Sequence, residues 1–175
     1  PLLNKLLYAF VKRMSTSLYY RCDELLVPYP ELKNNLAANG VKTTVNIAKL
    51  GVDINLFAPI EDNKAVRKKL NLPLKEKIIG YVGRVSKEKN VKILGQAFHK
   101  LSSKNIHLLI VGDGPEDQIY PFRTTPHCTV TGFVNNVQEY LQAMDIFVMP
   151  SLTETTSLTT LEAMASGLPV ITTRV

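Results

Sequence analysis

The chain has 175 residues, enough for one good core or for one domain with part of another. Its 45% hydrophobic and 21% charged content is ordinary for a soluble globular protein, its two cysteines exclude a disulfide framework, and no apolar run is long enough for a membrane span. The net charge of +6 is uneven: residues 1–104 hold 19 Lys and Arg against 8 Asp and Glu, and residues 105–175 hold 2 against 7.

In chain order, residues 2–20 read as a helix with Leu6/Leu7, Phe10/Val11 and Met14 on one face and Lys5, Lys12 and Arg13 opposite. A strand follows around Glu24–Pro28, and Pro30 suits the first turn of a helix ending near Gly40. Thr44–Leu50 reads as a strand, Leu56–Asn63 as a loop overlapping the start of a charged surface helix over Asp62–Asn71, and Lys77–Val82 as a strand. Asn90 is placed to cap a helix whose apolar face is Val91, Leu94, Ala97, Phe98 and Leu101. Ile106–Val111 is a buried strand ending in the turn Gly112-Asp113-Gly114-Pro115. A short helix, a strand at Cys128–Thr131, a helix near Asn136–Ala143 and a strand at Asp145–Met149 follow. Residues 157–166 form a helix stopped by Gly167, and Leu168–Thr172 is the last strand.

Strands alternating with helices, the strands nearly all apolar, mean a parallel sheet. The fold class is therefore α/β, a Rossmann-like doubly wound domain over residues 46–175, with ligand expected at the carboxyl ends of its strands. Residues 1–45 are expected to end a preceding domain and cross over, and both ends of the chain read as cut from a longer protein.

The basic first part calls for an anionic partner, be it nucleic acid, lipid headgroups or a phosphorylated small molecule, or else reflects solvated helix faces such as Arg67-Lys68-Lys69. Three loops after strands carry candidate chemistry. In Gly83–Asn90, Gly83 allows a sharp turn while Arg84 and Lys89 offer two cations to phosphate. The turn Gly112–Pro115 lacks the third glycine of a dinucleotide fingerprint, which disfavours a nicotinamide or flavin cofactor. In the third loop Glu154 precedes Glu162 by eight positions, with small hydroxylated residues at the helix start, where free amides can hold phosphate. Glu162 sits in an otherwise apolar stretch and needs a partner, either a ribose diol or a nearby cation, unless it faces solvent. His99, His107 and His127 have neither zinc spacing nor a neighbouring nucleophile and read as ordinary surface or strand histidines. No metal ligand and no cofactor is assigned.

Glu154 and Glu162, followed by Ala-Met-Ala-Ser-Gly-Leu-Pro-Val, resemble the E-x7-E signature of retaining GT-B glycosyltransferases, especially family 4. Gly51-Val52-Asp53 with Phe57 and Pro59, Gly83-Arg84 with Lys89, Val111–Pro115 and Gly132-Phe133-Val134 resemble further segments of that family, in order. The resemblance covers about residues 20–175 and implies a hexose transfer from a nucleotide-diphosphate sugar to a lipid or glycan hydroxyl, with retention of configuration. It implies that Arg84 and Lys89, after Gly83, hold the diphosphate, that Glu162 binds the ribose and that Glu154 faces the donor sugar. It places the amides of Thr156, Ser157 and Leu158 near phosphate and sugar, and main chain near Val134 at the base. Two departures stand out: Thr155-Thr156-Ser157 replaces the usual glycine-containing loop, and Asn90 replaces a glycine, with little expected effect.

The resemblance further implies no nucleic-acid partner and metal-independent chemistry, in keeping with the lack of any Asp-x-Asp. The two widely separated cysteines make a reducing cytosol the expected location, with the inner membrane face as an alternative place of work. The basic amphipathic helix 2–20 is expected to pack on the preceding domain, with a membrane surface as the alternative. The competing functions are a nucleotide- or sugar-binding module without turnover and a GT-B-fold epimerase. This chain by itself is expected to be inactive.

Overall fold

The computed structural model describes residues 2–101 and 105–175. The chain divides into two units, Pro1–Gly51 and Val52–Val175.

The first unit consists of α1 (Leu2–Tyr19), β1 (Glu24–Val27), α2 (Pro30–Ala38) and β2 (Thr44–Ile47). Pro30 occupies the first turn of α2, where its missing N–H costs nothing, and Gly40 beyond the helix takes a left-handed φ of 87°. β1 and β2 pair in parallel from Glu24↔Thr44 to Val27↔Ile47. Asn46 and Ile47, read in sequence as the start of the second domain, thus belong to this small sheet, and the division comes after it, between Gly51 and Val52. On α1 the side chains of Leu6, Leu7, Phe10, Val11 and Met14 are exposed. Among the described residues no helix is long and apolar enough to cross a membrane.

The second unit contains α3 (Lys64–Lys69), β3 (Lys77–Val82), α4 (Val91–Lys100), β4 (Ile106–Val111) and α5 (Glu116–Arg123). It continues with β5 (Cys128–Val130), α6 (Val137–Ala143), β6 (Ile146–Met149), α7 (Leu158–Ala165) and β7 (Val170–Thr172). Its five strands form one sheet in the order β5-β4-β3-β6-β7, every pairing parallel. The chain builds outward from β3 through β4 to β5, then returns to add β6 on the other side of β3. Between β3 and β6 the order reverses, the position at the carboxyl ends of the strands where open α/β sheets take their ligands. Leu108 to Val111 of β4, with Ile78, Tyr81 and Phe147 from its neighbours, are fully buried and anchor the core.

Three local expectations are corrected. Arg67 is not a solvated helix charge but only 4% exposed. Its guanidinium donates to the carbonyls of Ala143 and Glu76 and, at 2.6 Å, to the Asp145 carboxylate. Burial pushes the Asp145 carboxyl upward, but the Ile78 amide, Lys77 and Arg67 together outweigh it and hold the group below the usual range. On α4, Ala97 and Leu101 are exposed, and the glycine Gly95 lets the helix approach Phe122, where a Cβ would collide with the ring. Asn90 precedes α4 but makes no side-chain cap; its φ of 51° is left-handed, a conformation asparagine tolerates nearly as glycine does.

Candidate functional site

The loop after β3 is built tightly. Gly83 has a φ of 146° and donates its amide to Val111, and Val85 donates to the Asp113 carbonyl at 2.8 Å. A Cβ on Gly112 would run into the Gly83 carbonyl oxygen, so glycine at 112 is what allows the β3 and β4 loops to lie against each other. Tyr81, buried at the strand end, donates its hydroxyl to the Arg84 carbonyl at 2.8 Å. Burial, with the Glu154 and Glu88 carboxylates adding, raises this phenol far above its usual value and keeps it a neutral donor.

Gly83, Arg84 and Val134 line one cleft of about 360 Å³, together with Val82, Gly112 and Val137. Its walls are largely apolar, and Phe133, 83% exposed, is a further part of its lining. Gly112 bridges to Gly132, which ties the β4 and β5 loops together. Arg84 is exposed, and no hydrogen bond or ion pair engages its guanidinium among the described residues.

The loop after β6 joins the loop after β3 directly. Leu152 donates its amide to the Glu88 carbonyl at 2.8 Å. Lys89 and Glu154 form an ion pair at 2.7 Å, with side chains 25% and 17% exposed. Ser151, fully buried, donates to the same carboxylate oxygen at 2.9 Å. Lys89 and Glu154, expected to serve different parts of a ligand, here engage one another.

Ser157 caps α7, accepting from the Thr160 amide and, at 2.7 Å, from the Thr160 hydroxyl. The amides of Leu158 and Thr159 in the first turn have no acceptor within the helix. Thr156 and Ser157 are half-buried and Leu158 is exposed. Glu162, deeper in α7, is half-buried and has no hydrogen bond or ion pair among the described residues, so it is not joined to Glu154 or Arg84. Burial pushes its carboxyl above the ordinary value.

Ser151 and Tyr81, which support Glu154 and Arg84, are site residues that sequence reasoning misses. The only signal for Ser151 is its place just after the strand-ending Pro150, and Tyr81 has the pattern of any aromatic core residue.

The family model described as Glycosyl transferases group 1 matches residues 76–175. The chain is 34% identical over 157 residues to a GDP-mannose-dependent alpha-mannosyltransferase of Mycobacterium tuberculosis, a match covering 88% of this chain and 40% of that protein. It is 33% identical over 163 residues to the alpha-monoglucosyldiacylglycerol synthase of Acholeplasma laidlawii, covering 86% of this chain and 41% of that protein. The crystal structure of Anabaena Alr3699/HepE in complex with UDP-glucose superposes with a TM-score of 0.78 at 21% identity, over 92% of this chain and 48% of that one. The chain thus spans well under half the length of the curated relatives named here. With residues 76–175 matching the family model and the five-stranded parallel sheet shared with GT-B enzymes, this chain belongs to the group 1 glycosyl transferases and carries the Rossmann-like C-terminal domain of their fold.

Proposed function

We propose that the crevice at the carboxyl ends of β3 and β6 binds a nucleotide-diphosphate sugar and that the parent enzyme moves its hexose to a lipid or glycan hydroxyl with retention of configuration. The observation that carries this reading is the convergence, at the point where the strand order reverses, of the Gly83–Asn90 loop and the Pro150–Ser157 loop, held together by Leu152 on Glu88 and Lys89 on Glu154. The mannosyltransferase and alpha-monoglucosyldiacylglycerol synthase relatives and the UDP-glucose complex support donor and acceptor of these classes.

Each residue then has a task that its surroundings suit. The apolar cleft takes the base beside Phe133 and the main chain of Val134. Arg84, exposed and without a side-chain partner among the described residues, meets the diphosphate, and Lys89 joins it. The amide of Leu158 in the first turn of α7, with those of Ser157 and Thr156 before it, adds partial positive charge. Glu162, a carboxylate without a partner among the described residues, accepts from the two ribose hydroxyls, and Glu154 faces the sugar. Negative charge grows on the diphosphate as the sugar–phosphate bond breaks, and fixed cations and amides at that place lower the barrier without a metal. The leaving phosphate takes the acceptor proton on the same face, and no protein nucleophile is assigned.

The chain alone is expected to bind donor and not to turn it over. A peripheral contact with the inner membrane face through α1 is part of the proposal, drawn from its exposed apolar side chains and from Lys5, Lys12 and Arg13. Backbone NMR of the chain titrated with UDP-glucose and GDP-mannose tests the site. Shifts confined to Gly83–Asn90, Gly132–Val134 and Glu154–Glu162 are expected; shifts at the amino ends of the strands would refute it.

A further inference from the structure

Away from the crevice, three strands begin side by side. Glu76 immediately precedes β3, His107 is the second residue of β4, and His127 immediately precedes β5. The order β5-β4-β3 makes these neighbours, although they are far apart in sequence. Oε2 of Glu76 lies 3.2 Å from Nδ1 of His107, and Oε1 of the same carboxylate lies 3.1 Å from Nδ1 of His127. One ligand atom from each residue falls within 4.8 Å of the other two.

The inner half of the cluster is unsatisfied. Glu76 Oε2 and His107 Nδ1 are buried and have no hydrogen-bond partner among the described residues, so their 3.2 Å approach is not aligned for a hydrogen bond. Buried polar atoms in that state call for an explanation, an unplaced ion among them. An ion shared by two ligands requires such an offset, because each lone pair then points at the ion and not at the other atom. We propose that Glu76, His107 and His127 form a divalent-metal site whose two imidazoles and one carboxylate suit zinc.

Zinc bonds of about 2.0–2.2 Å in a tetrahedron set neighbouring donors about 3.3–3.5 Å apart. The two Glu76 oxygens approach the two imidazoles at 3.2 and 3.1 Å, and the ligand atoms of all three residues lie within 4.8 Å of one another, so a small closing movement of the exposed His127 completes the set. The second nitrogen of His107 is engaged: Nε2 lies 2.8 Å from the Thr129 hydroxyl, which holds the ring with Nδ1 toward Glu76. Ligation through His127 Nδ1 releases to solvent any proton held between that nitrogen and Glu76, and the fourth position is left to water. The site lies about 20 Å from the crevice, the length of the six-residue β3. Its effect is therefore to clamp the starts of β3, β4 and β5, where Leu108 already bonds the His127 carbonyl at 2.8 Å.

The test uses the 175-residue chain, stripped of metal and free of any histidine tag. Zinc is titrated by calorimetry, and cobalt(II) in parallel by visible absorption. One site per chain, a tetrahedral cobalt spectrum and a higher Tm with zinc are expected. His127→Asn removes the imidazole of an exposed residue while keeping a side chain at ease with its φ of 56°. Both His127→Asn and Glu76→Gln should lower zinc affinity by at least about 10–100-fold, the loss seen when even an outer-shell partner is removed. His99→Asn, at an exposed histidine outside the cluster, should change nothing. No saturable binding by the parent chain, or binding that survives His127→Asn and Glu76→Gln undiminished, overturns the proposal.

Discussion

The Lys89 ammonium sits 2.7 Å from Glu154 Oε1, joining the loop after β3 to the loop after β6. The two charges offset one another in the free protein, and the carboxylate oxygen also accepts from Ser151. On the proposed function, a diphosphate arriving here competes with Glu154 for Lys89, whereas no hydrogen bond or ion pair engages the Arg84 guanidinium among the described residues.

The first prediction follows from that asymmetry. Arg84→Ala should weaken a nucleoside diphosphate by about 1.5–3 kcal/mol, the worth of a charge-assisted contact, and leave the bare nucleoside nearly unchanged. Lys89→Ala should cost less, because breaking its pair with Glu154 offsets part of the gain from phosphate. Calorimetry with both ligands decides it; equal losses for nucleoside and diphosphate would mean the cations do not face phosphate.

A second prediction concerns the buried guanidinium. Arg67→Leu removes the buried one of the two cations on Asp145 and empties two carbonyl contacts, and should destabilise the fold by roughly 3–5 kcal/mol, while Lys68→Ala on the exposed side should stay within about 0.5 kcal/mol. Urea unfolding measures both. The Asp145 carboxyl is held below its ordinary value in the folded state, so its contribution is full above the unfolded value of about 3.9 and is lost as pH falls through the lower folded value. Asp145→Asn should lose this acid-range slope, and an unchanged slope would show that Asp145 is not its source.

A third concerns the packing of two loops. Gly112→Ala places a Cβ on the Gly83 carbonyl at a φ of 135°, so it should both destabilise the protein and weaken nucleotide binding through the displaced cleft wall. Gly132→Ala has open space around its Cβ and a φ of 71°, and should cost only about 1–2 kcal/mol for the left-handed backbone. Denaturation and ligand titration together separate the two; similar binding losses from both would remove the argument for a contact between loops.

Most of the sheet was legible because its strands are short apolar runs punctuated by glycine, and the pattern of loops after strands pointed to the crevice. What sequence could not show is who meets whom. Arg67 beside Lys68 and Lys69 has the pattern of one solvated run, and only its Asp145 partner, far along the chain, explains its burial. Thr44–Ile47 has the pattern of any strand, and nothing local says that it pairs with β1 and not with the larger sheet. On α4 a helical repeat assigns Ala97 and Leu101 inward, but Phe122 selects Gly95 instead. Lys89 and Glu154 both stand out in the sequence as candidates; their mutual ion pair does not, because it depends on β3 and β6 being neighbours.

The last prediction separates the two glutamates. Glu162 is a half-buried carboxylate with no protein partner among the described residues, and burial already pushes its carboxyl upward. Hydroxyl donors from a ribose would satisfy it, so Glu162→Gln should weaken a ribonucleoside diphosphate and erase most of its advantage over the 2′-deoxy analogue. Glu154 differs because it restrains Lys89. Glu154→Gln releases that cation, and bare nucleoside diphosphate should bind as well as before or somewhat more tightly. Transfer by the full-length enzyme should nevertheless fall, since the sugar loses a group that orients it. The double variant should be nearly additive for nucleotide binding if the carboxylates hold separate parts of the ligand. Titrations of each variant with nucleotide, deoxynucleotide and nucleotide sugar read out all three effects. If Glu154→Gln loses bare nucleotide as severely as Glu162→Gln, Glu154 is not a sugar-facing group restraining Lys89, and the division of labour between the two carboxylates fails.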